Sequence, residues 1–221
     1  MSARDRVASA YRAIVPEPLR RFVRDAITRR GYSAAFFAKL DAAQAASYDV
    51  MAASIAERLH PSAVLDVGSG SGALLAALAR DGVTKTTGWE SSPHGVAASR
   101  RRKVEVHEVD LGQPFTIGRE FDLAICLEVA EHLPESLADQ FVDGLASGPG
   151  VLLFSAATPG QGGENHINEQ PHDYWIEKFA RRGFAVDEAM TRELRAEWRA
   201  ADVASWYCNN SIIFRRTRSP E

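Results

Sequence analysis

The sequence predicts an α/β fold with a mostly parallel sheet, and two observations carry this prediction. An aliphatic, β-branched run over 63–67 leads into three closely spaced glycines and then into leucines at helical spacing up to Gly82. Further short apolar runs alternate with helical segments along the rest of the chain. Strands that alternate with helices are typical of parallel sheets, because a helix returns the chain to the starting edge.

The elements follow in order from their residue patterns. Predicted strands are short apolar runs, and predicted helices carry apolar residues at three- and four-residue spacing. The strands are expected over 63–67, 84–89, 103–109, 121–128, 151–155, 184–188 and 211–215. The helices are expected over 33–59, 73–82, 93–99, 135–146, 174–182 and 192–200.

The glycine turn after the first strand indicates a bound nucleotide-like cofactor. Gly68, Gly70 and Gly72 form the spacing GxGxG, and residues without a Cβ allow a ligand to approach the backbone where a helix begins. The dinucleotide fingerprint has its third glycine one position later, where Ala73 stands. A tight connection without any ligand is the alternative interpretation.

Polar residues end the next strands at the same predicted edge of the sheet. Glu90 offers a carboxylate that can accept hydrogen bonds from two ribose hydroxyls. Asp110 and Leu111 suit an adenine amino group and ring edge, and the fourth run ends in Glu128. Ligands bind outside the carboxyl ends of parallel strands, so these residues are expected around one site.

The set DVGSGSG, WE, VDL and FDLAICLEVAEHLP resembles the class I S-adenosylmethionine-dependent methyltransferases over about residues 45–216. The resemblance implies a Rossmann-like, seven-stranded sheet of order 3-2-1-4-5-7-6 with the last strand antiparallel. It also implies S-adenosylmethionine as cofactor, with the methionine end shaped by Asp66 and the glycines. The cofactor-binding residues would be Asp66, Gly68, Ser69, Gly70, Gly72, Glu90, Ser91, Asp110, Leu111 and Leu127.

Composition agrees with a soluble enzyme of ordinary size. The 221 residues are 45% hydrophobic and 25% charged, and no apolar run approaches the roughly 20 residues that a membrane span needs. The sequence also shows no apolar signal segment, so a cytoplasmic location is expected. Cys126 and Cys208 lie far apart, which favours neither a zinc ribbon nor a disulfide framework.

Residues 1–44 are predicted to form an N-terminal helical arm and cap on a methyltransferase domain over 45–216. Residues 1–31 hold eight arginines, and the segment after Pro18 has an apolar helical face. Packing is the favoured role of this face over an anionic-substrate lid or a membrane contact. The cap is expected to carry Gln44, Ser47 or Tyr48 toward the ligand, and a homodimer through the N-terminal helices is possible.

A second constellation follows the fourth strand. Glu128, Glu131 and His132 stand at positions i, i+3 and i+4, which face one way if the stretch is a helical turn. Two carboxylates and an imidazole in one patch are costly in free energy, because like charges repel unless a cation lies between them. The mixed oxygen and nitrogen ligands favour Mg²⁺ or Mn²⁺ as that cation. The loop over 156–175 supplies a distal ligand, His166 by position, with His172 as the alternative or as a base.

The ExxEH spacing with a distal histidine resembles metal-dependent 2′-O-methyltransferases of small-RNA 3′ ends and ubiquinone-pathway O-methyltransferases. The segment NHINEQ resembles bacterial methyltransferases of sugar and polysaccharide clusters, including those that build methylated mannose polysaccharides. The resemblance implies metal-assisted O-methylation of a saccharide hydroxyl. The metal ligands would be Glu128, Glu131, His132 and His166, with His166, His132, Glu131 and His172 as the candidate catalytic residues.

Other interpretations stay open. A catechol-like or quinone-precursor acceptor fits the same site, whereas nucleic acid is disfavoured because basic residues are concentrated in the N-terminal arm. Glu131 and His132 also fit an ordinary capped turn, with metal-free methylation and His132 as the base. A nicotinamide-dependent oxidoreductase and a non-catalytic cofactor-binding protein are the remote alternatives.

Overall fold

The computed structural model describes residues 32–217, in which strands and helices alternate along most of the chain. The strands are β1 (Ala63–Val67), β2 (Lys85–Glu90), β3 (Glu105–Glu108), β4 (Leu123–Leu127), β5 (Val151–Ser155), β6 (Phe184–Val186) and β7 (Ile212–Arg216). The helices are α1 (Ala34–Leu59), α2 (Ala73–Arg80), α3 (Pro93–Arg101), α4 (Ala138–Leu145), α5 (His172–Ala180), α6 (Glu188–Ala200) and α7 (Ser205–Asn210). The arginine-rich arm predicted over 1–31 lies outside the described residues.

All seven strands form one sheet of order β3-β2-β1-β4-β5-β7-β6. Strands β1 to β5 pair in parallel, and β7 runs antiparallel to both β5 and β6. The predicted Rossmann-like fold and its strand order are therefore confirmed. The order reverses between β1 and β4, which opens a crevice at the carboxyl ends of the strands.

Apolar residues fill both faces of the sheet, because successive strand residues point to opposite sides. On one side, Phe154 of β5 packs against Trp175 of α5 with ring centroids 5.4 Å apart. On the other side, Ile213 of β7 lies in a core with Ile55 of α1 and Trp198 of α6. Burial on both faces explains why the central strands β1, β4 and β5 are nearly continuous apolar runs rather than alternating ones.

The structure differs from the predicted elements at several boundaries and by one additional helix. Helix α6 begins at Glu188 rather than at 192, because the side chain of Asp187 caps it by accepting a 3.0 Å hydrogen bond from the Met190 backbone N–H. The helix predicted over 135–146 begins as a 3₁₀ turn at Glu135–Leu137 before α4 continues it. Helix α7 is absent from the predicted elements.

Helix α1 runs without a break across the predicted domain boundary at residue 44. Its first turn is capped by Ser33, whose hydroxyl accepts a 3.1 Å hydrogen bond from the Phe36 N–H. The helix packs against α2, α3 and α6, so it lies over the carboxyl-end crevice. No helix within residues 32–217 is long and apolar enough to cross a membrane.

Candidate active site

A cavity of about 500 Å³ lies at the carboxyl ends of the strands, between the sheet and α1. This volume falls in the range of small-molecule and cofactor sites. The glycine turn, the end of β2 and the segment after β4 form its floor. Its cover, largely aromatic and apolar, consists of Tyr32, Phe36, Phe37, Leu40 and Tyr48.

The glycine turn holds the backbone in a conformation that other residues rarely adopt. Gly68 has φ +84°, and a Cβ on it would lie 2.4 Å from Cγ2 of Val129. Gly70 has φ +56° and borders the cavity beside Phe37. The turn is therefore a close-packed cradle that leaves backbone N–H groups at the start of α2, as a nucleotide-like ligand requires.

Substitution of Gly68 by Ala is expected to weaken S-adenosylmethionine binding by about tenfold or more, because the clash with Val129 must displace the turn. Gly82→Ala is the matched control. Gly82 has φ +96°, but nothing lies within 4 Å of its added Cβ, so only backbone strain of about 1 kcal/mol is expected. Calorimetric titration and denaturant unfolding measure both effects, and equal cofactor affinity in the two variants would contradict the expectation.

Two buried carboxyl groups lie beside the turn. Glu90 accepts hydrogen bonds from the backbone N–H groups of Gly70 (2.7 Å) and Ser92 (2.6 Å), which fixes the turn to the end of β2. Burial raises the pKa of Glu90 to about 7, against the effect of these hydrogen bonds. Burial first, and the charge of Glu90 second, raise the pKa of Asp66 to about 7. Both groups therefore favour a cationic partner in the cavity.

Most of the predicted cofactor residues border the same cavity. Two do not: Gly72 caps the start of α2, and the Asp110 carboxylate accepts hydrogen bonds from the Gly112 N–H at 3.0 Å and from Gln113 at 3.4 Å. The residues that line the cavity are Asp66, Gly68, Ser69, Gly70, Glu90, Ser91, Leu111 and Leu127. The structure thus brings together eight of the ten predicted residues.

Three of the predicted metal ligands form a tight cluster at the other side of this cavity. One ligand atom each of Glu131, His132 and His166 lies within 4.8 Å of the other two. Glu131 is 0% exposed, and neither of its carboxylate oxygens has a hydrogen-bond partner. Its Oε1 lies 4.0 Å from Nε2 of His166, and the two imidazole rings are 4.9 Å apart.

The local fold explains how the cluster forms. After β4 the chain makes a 3₁₀ turn over Ala130–His132, and the backbone carbonyl of Glu131 accepts hydrogen bonds from Ile167 (2.9 Å) and Asn168 (3.0 Å). These bonds hold the loop after β5 against the turn. The Glu169 carboxylate binds Nδ1 of His166 at 3.0 Å, an arrangement that typically orients a metal-binding imidazole and leaves Nε2 free.

Burial also sets the protonation states in the cluster. The pKa of Glu131 is raised well above its ordinary value by burial first and by the charge of Glu128 second. Burial, followed by the nearby His166, lowers the pKa of His132 to about 4. His132 is therefore a neutral imidazole with a free lone pair at pH 7.

Glu128 and His172 do not belong to the cluster of Glu131, His132 and His166, which corrects the sequence prediction. Glu128 has φ +55°, so the stretch is not a helical turn and its carboxylate turns away from the cluster toward Ser155 and Gln161. His172 begins α5 and does not border the cavity, and its Nε2 is buried without a partner. The geometry therefore favours His166 over His172 as the distal member.

The structure adds site residues that sequence reasoning missed. The hydroxyl of Tyr32 lies 3.0 Å from Nδ1 of His132, which joins the cap to the cluster. Gln161 and Trp206 also line the cavity, from the loop after β5 and from α7. Gln161 lies in the glycine-rich segment whose position after a strand marks it as a binding loop, but no local pattern singles out Tyr32 or Trp206.

The cluster fits a divalent cation. A carboxylate that is fully buried and unpaired is costly in free energy, and a cation between it and the two imidazoles offsets that cost. Three protein ligands from Glu131, His132 and His166 would leave coordination positions for substrate oxygens. The cluster and the glycine turn border one cavity, so a cation and a cofactor would be neighbours.

Comparison with known proteins agrees with this fold. A family model described as a methyltransferase domain matches residues 36–202. A ubiquinone biosynthesis O-methyltransferase of Actinobacillus pleuropneumoniae is 32% identical over 104 residues, which are 42% of this chain and 44% of that protein. The chain thus matches less than half the length of this curated relative.

Solved structures show the same fold at low sequence identity. The sugar N-methyltransferase KedS8 from a Streptoalloteichus species is 17% identical with a TM-score of 0.64, covering 85% of this chain and 94% of that one. The DhpI–SAH complex is 19% identical with a TM-score of 0.61, covering 90% and 99%. From the family match, the strand order and the glycine cradle we conclude that the chain belongs to the class I S-adenosylmethionine-dependent methyltransferases.

Proposed function

We propose that this protein transfers the methyl group of S-adenosylmethionine to a hydroxyl of a sugar or saccharide with the help of Mg²⁺ or Mn²⁺. The observation that carries the proposal is Glu131, a fully buried carboxylate without a hydrogen-bond partner, clustered with His132 and His166, which both border the cavity of the glycine turn. Nothing in the ordinary packing of the fold requires an unpaired carboxylate there, whereas a cation site does.

The residues around the glycine turn account for cofactor binding. When bound, S-adenosylmethionine supplies an electrophilic methyl group on a sulfonium ion. Asp66 and Glu90 offer negative charge to this cationic ligand, and Leu111 offers a buried apolar contact. The aromatic cover from Phe36 and Phe37 keeps water from the transferred group.

The second cluster accounts for activation of the acceptor. A divalent ion, when bound, lowers the pKa of a coordinated hydroxyl and so makes its oxygen a better nucleophile. Glu131, His132 and His166 would hold the ion, and Glu169 would keep His166 in the tautomer with its lone pair on Nε2. Tyr32 is within hydrogen-bond distance of His132 and orients that ring from the cap.

A saccharide is favoured as the acceptor by the resemblance of the NHINEQ loop to sugar-cluster methyltransferases. A catechol-like quinone precursor is the second candidate, and the 32% identity to a ubiquinone biosynthesis O-methyltransferase favours it. An RNA 3′ end is disfavoured, since the cavity presents the carboxylates of Asp66, Glu90 and Glu128 to a phosphate backbone.

The test is a methyl-transfer assay with methyl α-mannoside, catechol and a short RNA, each with Mg²⁺, with Mn²⁺ and with a chelator. Transfer to the mannoside is expected only with a divalent ion, and restoring the ion after chelation is expected to restore the rate. Titration of the metal-free protein with Mn²⁺ is expected to show one bound ion, independent of turnover. Transfer at an unchanged rate in the chelator would contradict the metal-assisted mechanism.

A further inference from the structure

We infer that the acceptor is a polyhydroxylated ring that seats against a second polar subsite, formed by Glu128, Gln161 and Trp206 and separate from the metal cluster. All three residues border the same cavity as the glycine turn, His132 and His166. The inference rests on the proposed function and identifies the residues that recognise the methyl acceptor.

The carboxylate of Glu128 is fixed but not saturated. Its Oε1 accepts hydrogen bonds from Ser155 Oγ at 2.7 Å and from Asn210 Nδ2 at 3.3 Å, and its Oε2 accepts one from Gln161 Nε2 at 2.8 Å. A carboxylate has about four acceptor positions, so Oε2 keeps one for a ligand. The left-handed backbone of Glu128, with φ +55°, is strain of the kind that is retained at functional positions.

The donors to Glu128 are themselves held in place. Asn210 is 2% exposed and Ser155 is 0% exposed, and Asn210 also donates a 2.7 Å hydrogen bond to the side-chain oxygen of Gln161. The Gln161 amide uses one of its two N–H groups on Glu128. The Glu128 carboxylate, a preorganised hydrogen-bond acceptor, thus lies beside the Gln161 amide, a donor from the loop that also contains His166.

This pairing selects a hydroxyl rather than an amine. A hydroxyl donates one hydrogen bond and accepts another, which suits Glu128 beside Gln161, whereas an ammonium group only donates. Trp206 is half-buried and lines the same cavity, and a flat aromatic face is the usual wall of a pocket that binds a ring.

The two polar subsites also discriminate between rings. A catechol has its two hydroxyls on one edge, so a catechol held at Glu131 and the two imidazoles has no hydroxyl left for Glu128. A saccharide carries hydroxyls around its ring, so it keeps further hydroxyls for Glu128 when one pair is held at the cluster. The geometry therefore favours a saccharide with hydroxyls beyond the methylated pair.

The first test uses intrinsic fluorescence and requires no turnover. Trp206 lines the cavity, whereas Trp89 packs edge-on against Phe115, and Trp175 and Trp198 are at most 1% exposed. A change on adding methyl α-mannoside in the presence of S-adenosylhomocysteine is therefore expected to come from Trp206. The change is expected to disappear in Trp206→Phe, which keeps a flat ring for binding. A change of the same size in Trp206→Phe would overturn the assignment of the subsite.

The second test separates acceptor recognition from cofactor binding. Gln161→Ala and Trp206→Ala are expected to raise the KM for the mannoside by about fivefold or more, with the affinity for S-adenosylmethionine unchanged, and Trp206→Phe is expected to keep the KM. If the mannoside is methylated with an unchanged KM in both alanine variants, the proposed function stands and this inference is wrong. If the mannoside changes Trp206 fluorescence but is never methylated, the subsite stands and the proposed function is wrong.

Discussion

Replacement of Glu131 by Gln is expected to reduce metal-dependent methyl transfer by about 100-fold or more and, at the same time, to stabilise the metal-free protein. The loss of activity follows from the loss of an anionic ligand between His132 and His166. The gain in stability, about 1 kcal/mol, follows from removing a fully buried carboxylate that has no hydrogen-bond partner. A residue that served packing alone would change both quantities in the same direction.

The measurements are turnover with Mn²⁺, Mn²⁺ affinity by calorimetry, and denaturant unfolding in a chelator. Glu177→Gln is the control, because the side chain of Glu177 is 69% exposed on α5 and touches only Arg181 in its ion pair. This control is expected to leave all three quantities unchanged. Full turnover in Glu131→Gln, or a lower free energy of unfolding for this variant, would contradict the proposed cation site.

The second large effect concerns pH. The pKa values of Asp66 and Glu90 are both raised to about 7, chiefly by burial. The folded protein without ligand therefore holds protons that the unfolded chain has lost, so its stability is expected to fall as pH rises from about 4 to about 7. A cationic cofactor favours the ionised carboxylates, so its binding is expected to release protons near pH 7 and to tighten by about tenfold between pH 6 and pH 8.

Calorimetry of S-adenosylmethionine binding in two buffers with different ionisation enthalpies measures the proton release directly. Asp66→Asn removes one of the two titrating groups and is expected to lower both the released protons and the dependence of stability on pH. Asp122→Asn serves as control, since Asp122 accepts hydrogen bonds from Ser62 and Ala63 at the other end of β1. Cofactor affinity that is constant over this pH range would contradict the expectation.

The fold was predictable because its main signals are local. The central strands β1, β4 and β5 are short apolar runs, and the turn after β1 carries three glycines. Helix α7 was missed because its six residues are too few to show helical spacing and no side chain caps its start. The contacts between loops and the sheet join residues that are distant in sequence, so no local pattern predicts them.

The candidate site was predictable only in part. The cofactor residues follow strand ends, which a sequence reveals, and eight of ten border the cavity. The error at Glu128 came from assuming helical geometry, whereas a residue with φ +55° points its side chain elsewhere. Tyr32 reaches His132 across 100 positions of the chain, and such a contact has no local signature.

The position of β7 has a consequence for how the enzyme can diversify. Strand β7 lies between β5 and β6 in the sheet, and helix α7 directly precedes it. This position places Trp206 of α7 at the cavity that the ends of β1 and β2 also border. In the proposed function, the N-terminal half of the described chain supplies the methyl-donor side, and the C-terminal half supplies most of the acceptor side. We therefore expect mutations late in the chain to change the acceptor without altering the cofactor site. Changes at Asp66 or Glu90 are expected to reduce transfer to every acceptor alike.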